Sequence, residues 1–169
     1  MQLVFAATAG GVLMGDDIPS LASTTFGSNL PPDVVSALVG LFREQSVPAG
    51  ATIFREGDDT DVLSVIAAGE VSLEMDVPGR GRQRLLSLGP GDLLGWSPLL
   101  GGGSMTASAT ALQDSVLYIA SAHELRACCE TNRELGFYLM HEVARSLGRR
   151  LLATRLQMLD LFCPVNAEL

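Results

Sequence analysis

Few residues of this chain are of types that do chemistry, and fewer are spaced to do it together. His123 and His141 are the only histidines. Both fall where apolar spacing predicts helices, so they supply no three-ligand metal site to a strand scaffold. Cys128 and Cys129 are adjacent and Cys163 stands apart. An odd count without Cys-x-x-Cys is neither a disulfide framework nor a zinc site. These residues read as reduced, partly buried thiols. A redox-sensing pair is the functional alternative, and neighbouring cysteines bridge only with strain. No Ser-His-Asp or Cys-His arrangement is signalled by spacing. Neither catalysis nor a resident metal is expected.

Binding chemistry is better represented. Between Asp92 and Asp114 the chain carries no charged residue. Within that stretch Ser97-Pro98 has the form of an N-cap followed by Pro at the first helical position. A short helix there would aim bare N–H groups at an anion. Gly101-Gly102-Gly103 would let backbone approach a guest closely, and Ser104, Thr106 and Ser108 would add hydroxyls. Trp96 would either stack on a planar ligand or pack in the core. The hydroxyl run has its own plainer alternative, a small-residue strand with one wet face. An anion in a water-poor pocket needs a cation or several aimed N–H donors, and this stretch holds no cation.

The 169 residues suit one domain with its own core, and 47% hydrophobic with 18% charged residues excludes a disordered chain. Formal net charge is −8, and all eleven basic residues are Arg. Such a surface repels phosphate backbones. Arg80, Arg82 and Arg84 near a turn, and Arg149-Arg150 on a helix, read as solvated faces rather than nucleic-acid contacts. The apolar run Leu3 to Met14 is broken by Gly10 and Gly11. It is too short to span a bilayer and lacks a basic leader. The expectation is a cytoplasmic protein without membrane attachment, with residues 1–29 a poorly defined lead-in.

The elements that would position the charge-free stretch follow from periodicity. Pro31-Pro32-Asp33 opens a helix whose inward face holds Val34, Val35, Leu38, Leu41 and Phe42. Short strands separated by glycine turns follow: 51–54, 62–67, 71–77, 82–88 and 116–119. Val71, Leu73, Met75 and Val77 alternate with Ser72, Glu74 and Asp76, the pattern of a half-buried strand. Strands this short favour a sandwich or barrel. Ser121 with Glu124 three residues on is a capping box for a helix to about Glu130. A long helix is expected from about Asn132 to Phe162. On it Phe137, Met140, Ala144, Leu147, Leu151, Thr154, Met158 and Leu161 step by three and four, an a/d seam that predicts a homodimer. A second stripe, Leu135, Leu139, Val143, Leu152, Leu156 and Leu159, is expected to lie on the roll; the alternative is a helix packed wholly within its own monomer.

The segments Pro48 to Asp58, Ile66 to Leu73 and Leu88-Gly-Pro-Gly-Asp-Leu-Leu-Gly95 resemble the cyclic-nucleotide-binding roll of the CRP/FNR regulators, over about residues 30–162. Gly50, Gly57, Gly69, Gly91 and Gly95 stand at its turns. Leu94-Gly-Trp-Ser97 and Ala153 to Asp160 are similar to a single-domain bacterial subgroup. The resemblance implies a mainly β fold with flanking helices: a double-stranded β-helix (jelly roll) over about 45–120, helices over 121–162 with the last one dimerising, and a tail at 163–169. It implies a ligand site at Gly95, Trp96, Ser97, Leu99, Thr106 and Ala107, and a small-molecule effector or a protein partner.

Two departures qualify the ligand. The family places Glu after the cassette Gly, to accept from the ribose 2′-hydroxyl, and this chain has Trp96. It places Arg about ten residues later, on the cyclic phosphate, and this chain has Met105 and Thr106. Each charge-assisted bond forgone weakens binding by about 1.5–3 kcal/mol, so a cyclic nucleotide is a doubtful ligand. Seven residues follow Phe162, too few for a recognition helix, so direct DNA binding is not expected. The functional reading is a sensory or regulatory module that is not an enzyme. The alternative is a ligand-free interaction protein dimerising through its last helix.

Overall fold

The computed structural model describes residues 20–102 and 104–162. Residues 1–19 of the lead-in expected at 1–29, the tail at 163–169 with Cys163, and Gly103 lie outside the described residues. Among the described residues, eight strands form two four-stranded antiparallel sheets. One has the order β1 (Arg43–Val47), β8 (Ser115–Ser121), β3 (Val62–Ala68), β6 (Leu93–Leu94); the other has β2 (Thr52–Phe54), β7 (Ser108–Ala111), β4 (Val71–Val77), β5 (Gly81–Leu88). The helices are α1 (Thr25–Ser28), α2 (Pro32–Val39), α3 (Ala122–Thr131) and α4 (Arg133–Phe162). This is the jelly roll with a long C-terminal helix that the resemblance implied.

Period-two alternation builds two cores from one sheet. Inward residues of the first sheet, Val47, Ile66, Leu94, Leu117 and Ile119, meet Ile53, Val71, Leu73, Leu88 and Ala109 between the sheets. Its outward residues, Leu63, Val65, Leu93 and Ala120, carry the helices through Phe26, Leu38, Leu125, Leu135 and Leu139. One strand set therefore binds two layers, and each substitution along it strikes a different core.

Three expectations about elements change. Residues 21–28 are not a loose lead-in: a 3-10 turn (Leu21–Ser23) and α1 bury Leu21 and Phe26 in the helical core, with the Thr24 hydroxyl accepting from Gly27 N–H to cap α1. The first long helical reading stops at Val39, so Leu41 and Phe42 lie beyond α2, and β1 begins at Arg43. Ser97-Pro98 starts a run of overlapping turns, Leu99 N–H to Trp96 carbonyl and Gly102 N–H to Ser97 carbonyl among them, rather than a helix. Ser121 caps α3, its hydroxyl accepting from Glu124 N–H, one half of the expected capping box.

Helix α4 follows directly on α3. Asn132 leaves helical geometry for one residue (φ −119°, ψ 95°) and caps α4 by accepting from Leu135 N–H. The core-facing line of α4 is Leu135, Leu139, Val143, Ser146, Arg150, Ala153 and Gln157. Ser146, Arg150 and Ala153 share the lining of one cavity with Leu86, Leu88 and Asp92, and Gln157 donates to the Leu85 carbonyl. Leu152, Leu156 and Leu159, expected on the roll, are exposed. A hundred-degree step per residue carries that stripe off the core after Val143.

Candidate functional site

The cassette runs from Leu93 to Ala107 and begins with β6. Gly95 has φ +68°, and a Cβ there would stand 2.5 Å from the Val62 carbonyl oxygen. Only glycine lets the chain turn this close to β3. The turns that follow bury Ser97, Leu99 and Met105. Met105 is pinned from both sides by backbone: its N–H donates to Asp58 and its carbonyl accepts from Gly57. Ser108, where β7 begins, is buried and accepts from Glu56 N–H.

A cavity of about 40 Å³ lies beneath these turns, lined by Phe54, Leu73, Leu94, Gly95, Trp96, Ser97, Met105, Thr106, Ala107 and Arg150. The cassette residues named from sequence thus gather at one place, with two qualifications. Leu99 points into the helical core instead. Trp96 also packs on that core, beside Leu99, which is the packing reading of this residue. Thr106 is exposed at the rim and Ala107 half-buried.

Two arginines outside the cassette reach into it. Arg126 of α3 donates to the Pro98 carbonyl and stands 3.9 Å from Asp61. Arg150 of α4 donates to the Leu93 carbonyl. The Arg150 Nε is buried and has no hydrogen-bond partner among the described residues. Burial pushes the guanidinium below its ordinary pKa, Asp92 pulls it back up and Arg149 pushes it further down. Asp92 is already engaged: it accepts from Gly89 N–H at 3.0 Å and pairs with Arg149 at 3.4 Å.

Arg150 is the residue that reading the sequence missed, and the reading of Arg149-Arg150 as a solvated pair holds only for Arg149. The cassette carries no charge of its own, yet a cation enters its cavity from 55 residues further along the chain. A signal was present. Leu139, Val143, Ser146, Arg150, Ala153 and Gln157 are spaced four, three, four, three, four, so Arg150 sits on the buried line of α4. Counting apolar residues alone hides it.

The expected seam is partly visible. Phe137, Ala144, Leu151, Thr154 and Met158 are exposed, while Met140 and Leu147 are half-buried and touch the helical core. His123 and His141 lie on α3 and α4 and do not line the cassette cavity. Among the described residues no group of three His, Cys, Asp or Glu is placed to hold a metal ion, and no helix is long and apolar enough to cross a membrane. Cys128 and Cys129 are free thiols; burial, and after it Cys128, raises the pKa of Cys129.

Known proteins agree with this architecture. The profile of the cyclic nucleotide-binding domain matches residues 44–132. The cyclic AMP receptor protein of Thermus thermophilus is 33% identical over 129 residues, which cover 76% of this chain and 58% of that protein. A cyclic AMP-activated CRP-like regulator of Mycobacterium tuberculosis is 30% identical over 130 residues, with the same coverage. The chain thus spans about 58% of the length of these relatives. Among solved structures, a cyclic nucleotide-binding domain from Methylobacillus flagellatus superposes with TM-score 0.72 at 23% identity, covering 77% of this chain and 73% of that one. That likeness speaks for the fold alone. With the strand order, the glycine turns and the match over residues 44–132 in hand, the chain belongs to the cyclic nucleotide-binding domain family, with CRP-like regulators among its relatives.

Proposed function

We propose that the chain is a dimeric regulatory module whose cassette does not hold cAMP in the usual grip, and whose response to an anionic effector runs through Arg150. One observation carries this reading: a half-buried arginine on the long helix lines the cassette cavity with its Nε buried and unpartnered. Buried charges are normally paired or fully hydrogen-bonded. An oxyanion at Nε would complete the set.

The effect on the helix follows from the two tethers. Arg150 donates to Leu93 at the start of the cassette, and Arg126 of α3 to Pro98 beyond it. An anion competing for Arg150 would weaken its hold on Leu93 and alter how α4 sits on the roll. Asn132, the single non-helical residue between α3 and α4, is the natural pivot. The exposed seam of α4 would carry the change to a second copy. Such coupling requires that the anion favour one arrangement over the other.

The usual guest is disfavoured on size and chemistry. Small-molecule sites occupy roughly 300–1,000 Å³, and this cavity of about 40 Å³ has room for a few waters or one oxyanion. Trp96 and Thr106 replace the two polar anchors. The same small volume, walled by Phe54, Leu73, Leu94 and Met105, also supports the second reading, a ligand-free interaction protein.

Calorimetric titration separates the readings. Inorganic phosphate is expected to bind the wild type and not Arg150→Met, while cAMP shows no micromolar affinity for either. Micromolar cAMP binding would refute the proposed loss of the usual grip. No saturable phosphate heat in the wild type would favour the ligand-free protein.

A further inference from the structure

The space between the sheets is not filled to its edge. Where β1 borders one sheet and β2 the other, a cleft of about 330 Å³ opens between them. Ile53, Phe54, Val62, Leu117 and Ile119 form its apolar walls. The strand register decides what stands at the mouth. Val47, Gln45 and Arg43 pair with Ser115, Leu117 and Ile119, so these three share the inner face. Val47 is buried, Gln45 half-buried and Arg43 exposed. Glu44 belongs to the outer face, opposite Tyr118, whose hydroxyl pKa it raises after the larger effect of burial. Glu44 also borders the cleft, but the register makes Arg43 the charged side chain of β1 on the inner face, and among the described residues Arg43 has no ion pair. The Thr60 hydroxyl, also on the lining, is buried without a hydrogen-bond partner.

A hollow with apolar walls at Ile53, Leu117 and Ile119, an unpaired cation at its lip and an unsatisfied hydroxyl in its lining are complementary to a particular kind of molecule. We infer that the β1–β2 cleft is a second ligand site, distinct from the cassette, for a small molecule with an apolar body and one carboxylate end. The carboxylate pairs with Arg43 and the body lies on Ile53, Leu117 and Ile119. The volume falls within the range of small-molecule sites, which the cassette cavity does not. Phe54 lines both spaces, so the wall the guest touches is also a wall of the cassette. This inference is independent of whether Arg150 engages an anion.

The test uses the full chain with octanoate and 4-phenylbutyrate as probes, followed by calorimetry and by methyl NMR. Saturable binding of at least one acid is expected, with shifts at Ile53, Leu117 and Ile119. Arg43→Gln, at an exposed position that does not endanger folding, is expected to weaken it about tenfold or more, the loss of one charge-assisted contact. Octanamide should bind correspondingly worse than octanoate, and Arg150→Met should leave the affinity unchanged. The inference is overturned if neither acid binds at millimolar concentration or if Arg43→Gln binds as well as wild type. It is equally overturned if the shifts centre on Trp96 and Thr106 and vanish in Arg150→Met, because the guest would then be in the cassette.

Discussion

Replacing Arg150 by Met is the perturbation that separates a site from a strut. Met fills much the same space and removes the charge. Lost with the guanidinium is its donation to the Leu93 carbonyl, about 1.5–3 kcal/mol for a bond from a charged group. Gained is the release of a half-buried cation, whose desolvation penalty is a fraction of the several kcal/mol of a fully buried ion. No charge is orphaned, because Asp92 keeps Arg149 at 3.4 Å and the Gly89 N–H at 3.0 Å. The two contributions offset, and Arg150→Met should change the unfolding free energy by no more than about 1 kcal/mol, roughly 2–4 °C in Tm for a chain of this size. Urea titration followed by tryptophan fluorescence reads the midpoint, and scanning calorimetry reads Tm. Breaking a buried pair on which the fold depends costs about 3–5 kcal/mol. A loss of that size would mean Arg150 is held for structure, and the reasoning that makes it a free hand in the cassette would fail.

Four further outcomes are expected. Leu151→Glu with Met158→Glu, both at exposed positions of α4, should convert a dimer to a folded monomer by sedimentation; an unchanged profile would remove the proposed interface. Gly69 has φ +94° and a Cβ there would lie 2.2 Å from Ser115 Oγ, so Gly69→Ala should cost about 3 kcal/mol in urea melts. Gly79→Ala, with φ +76° and open space around it, should cost only about 1 kcal/mol. Leu139→Ala, at a fully buried site on α4, should lose about 2–5 kcal/mol, against within about 0.5 kcal/mol for exposed Leu156→Ala. The Cys129 thiol titrates above its ordinary value because of burial and then Cys128. Its thiolate therefore forms only at higher pH, and iodoacetamide should modify it more slowly at pH 7.5 than a free cysteine.

Much of the architecture was legible because the sequence repeats its instructions. Val71 to Val77 alternates cleanly, glycines stand at the sharp turns, and Ser121 with Glu124 announces α3. Strand β1 was not legible: Arg43-Glu44-Gln45-Ser46 is polar, and at this sheet edge only Val47 is buried, so no period-two signal exists. The end of α2 was misplaced because Leu41 and Phe42 keep helical spacing after the chain has left the helix at Val39. At the site, the family resemblance implied that Gly95, Ser97, Thr106 and Ala107 come together, and they line one cavity. The resemblance could not show that Trp96 and Leu99 face the helical core, because the choice of side depends on which sheet face the following turns cross. Arg150 was hidden by distance along the chain. Leu152, Leu156 and Leu159 looked like a core stripe because a four-three-step apolar line is the same whether or not anything lies beneath it.

The central claim is that the cation of the cassette is Arg150. The most direct measurement is the NMR signal of its Nε–H, assigned by its loss in Arg150→Met and followed through titrations with inorganic phosphate and with cAMP. The account predicts a saturable shift with phosphate and none with micromolar cAMP. A signal indifferent to phosphate, or one that saturates with micromolar cAMP, would contradict it.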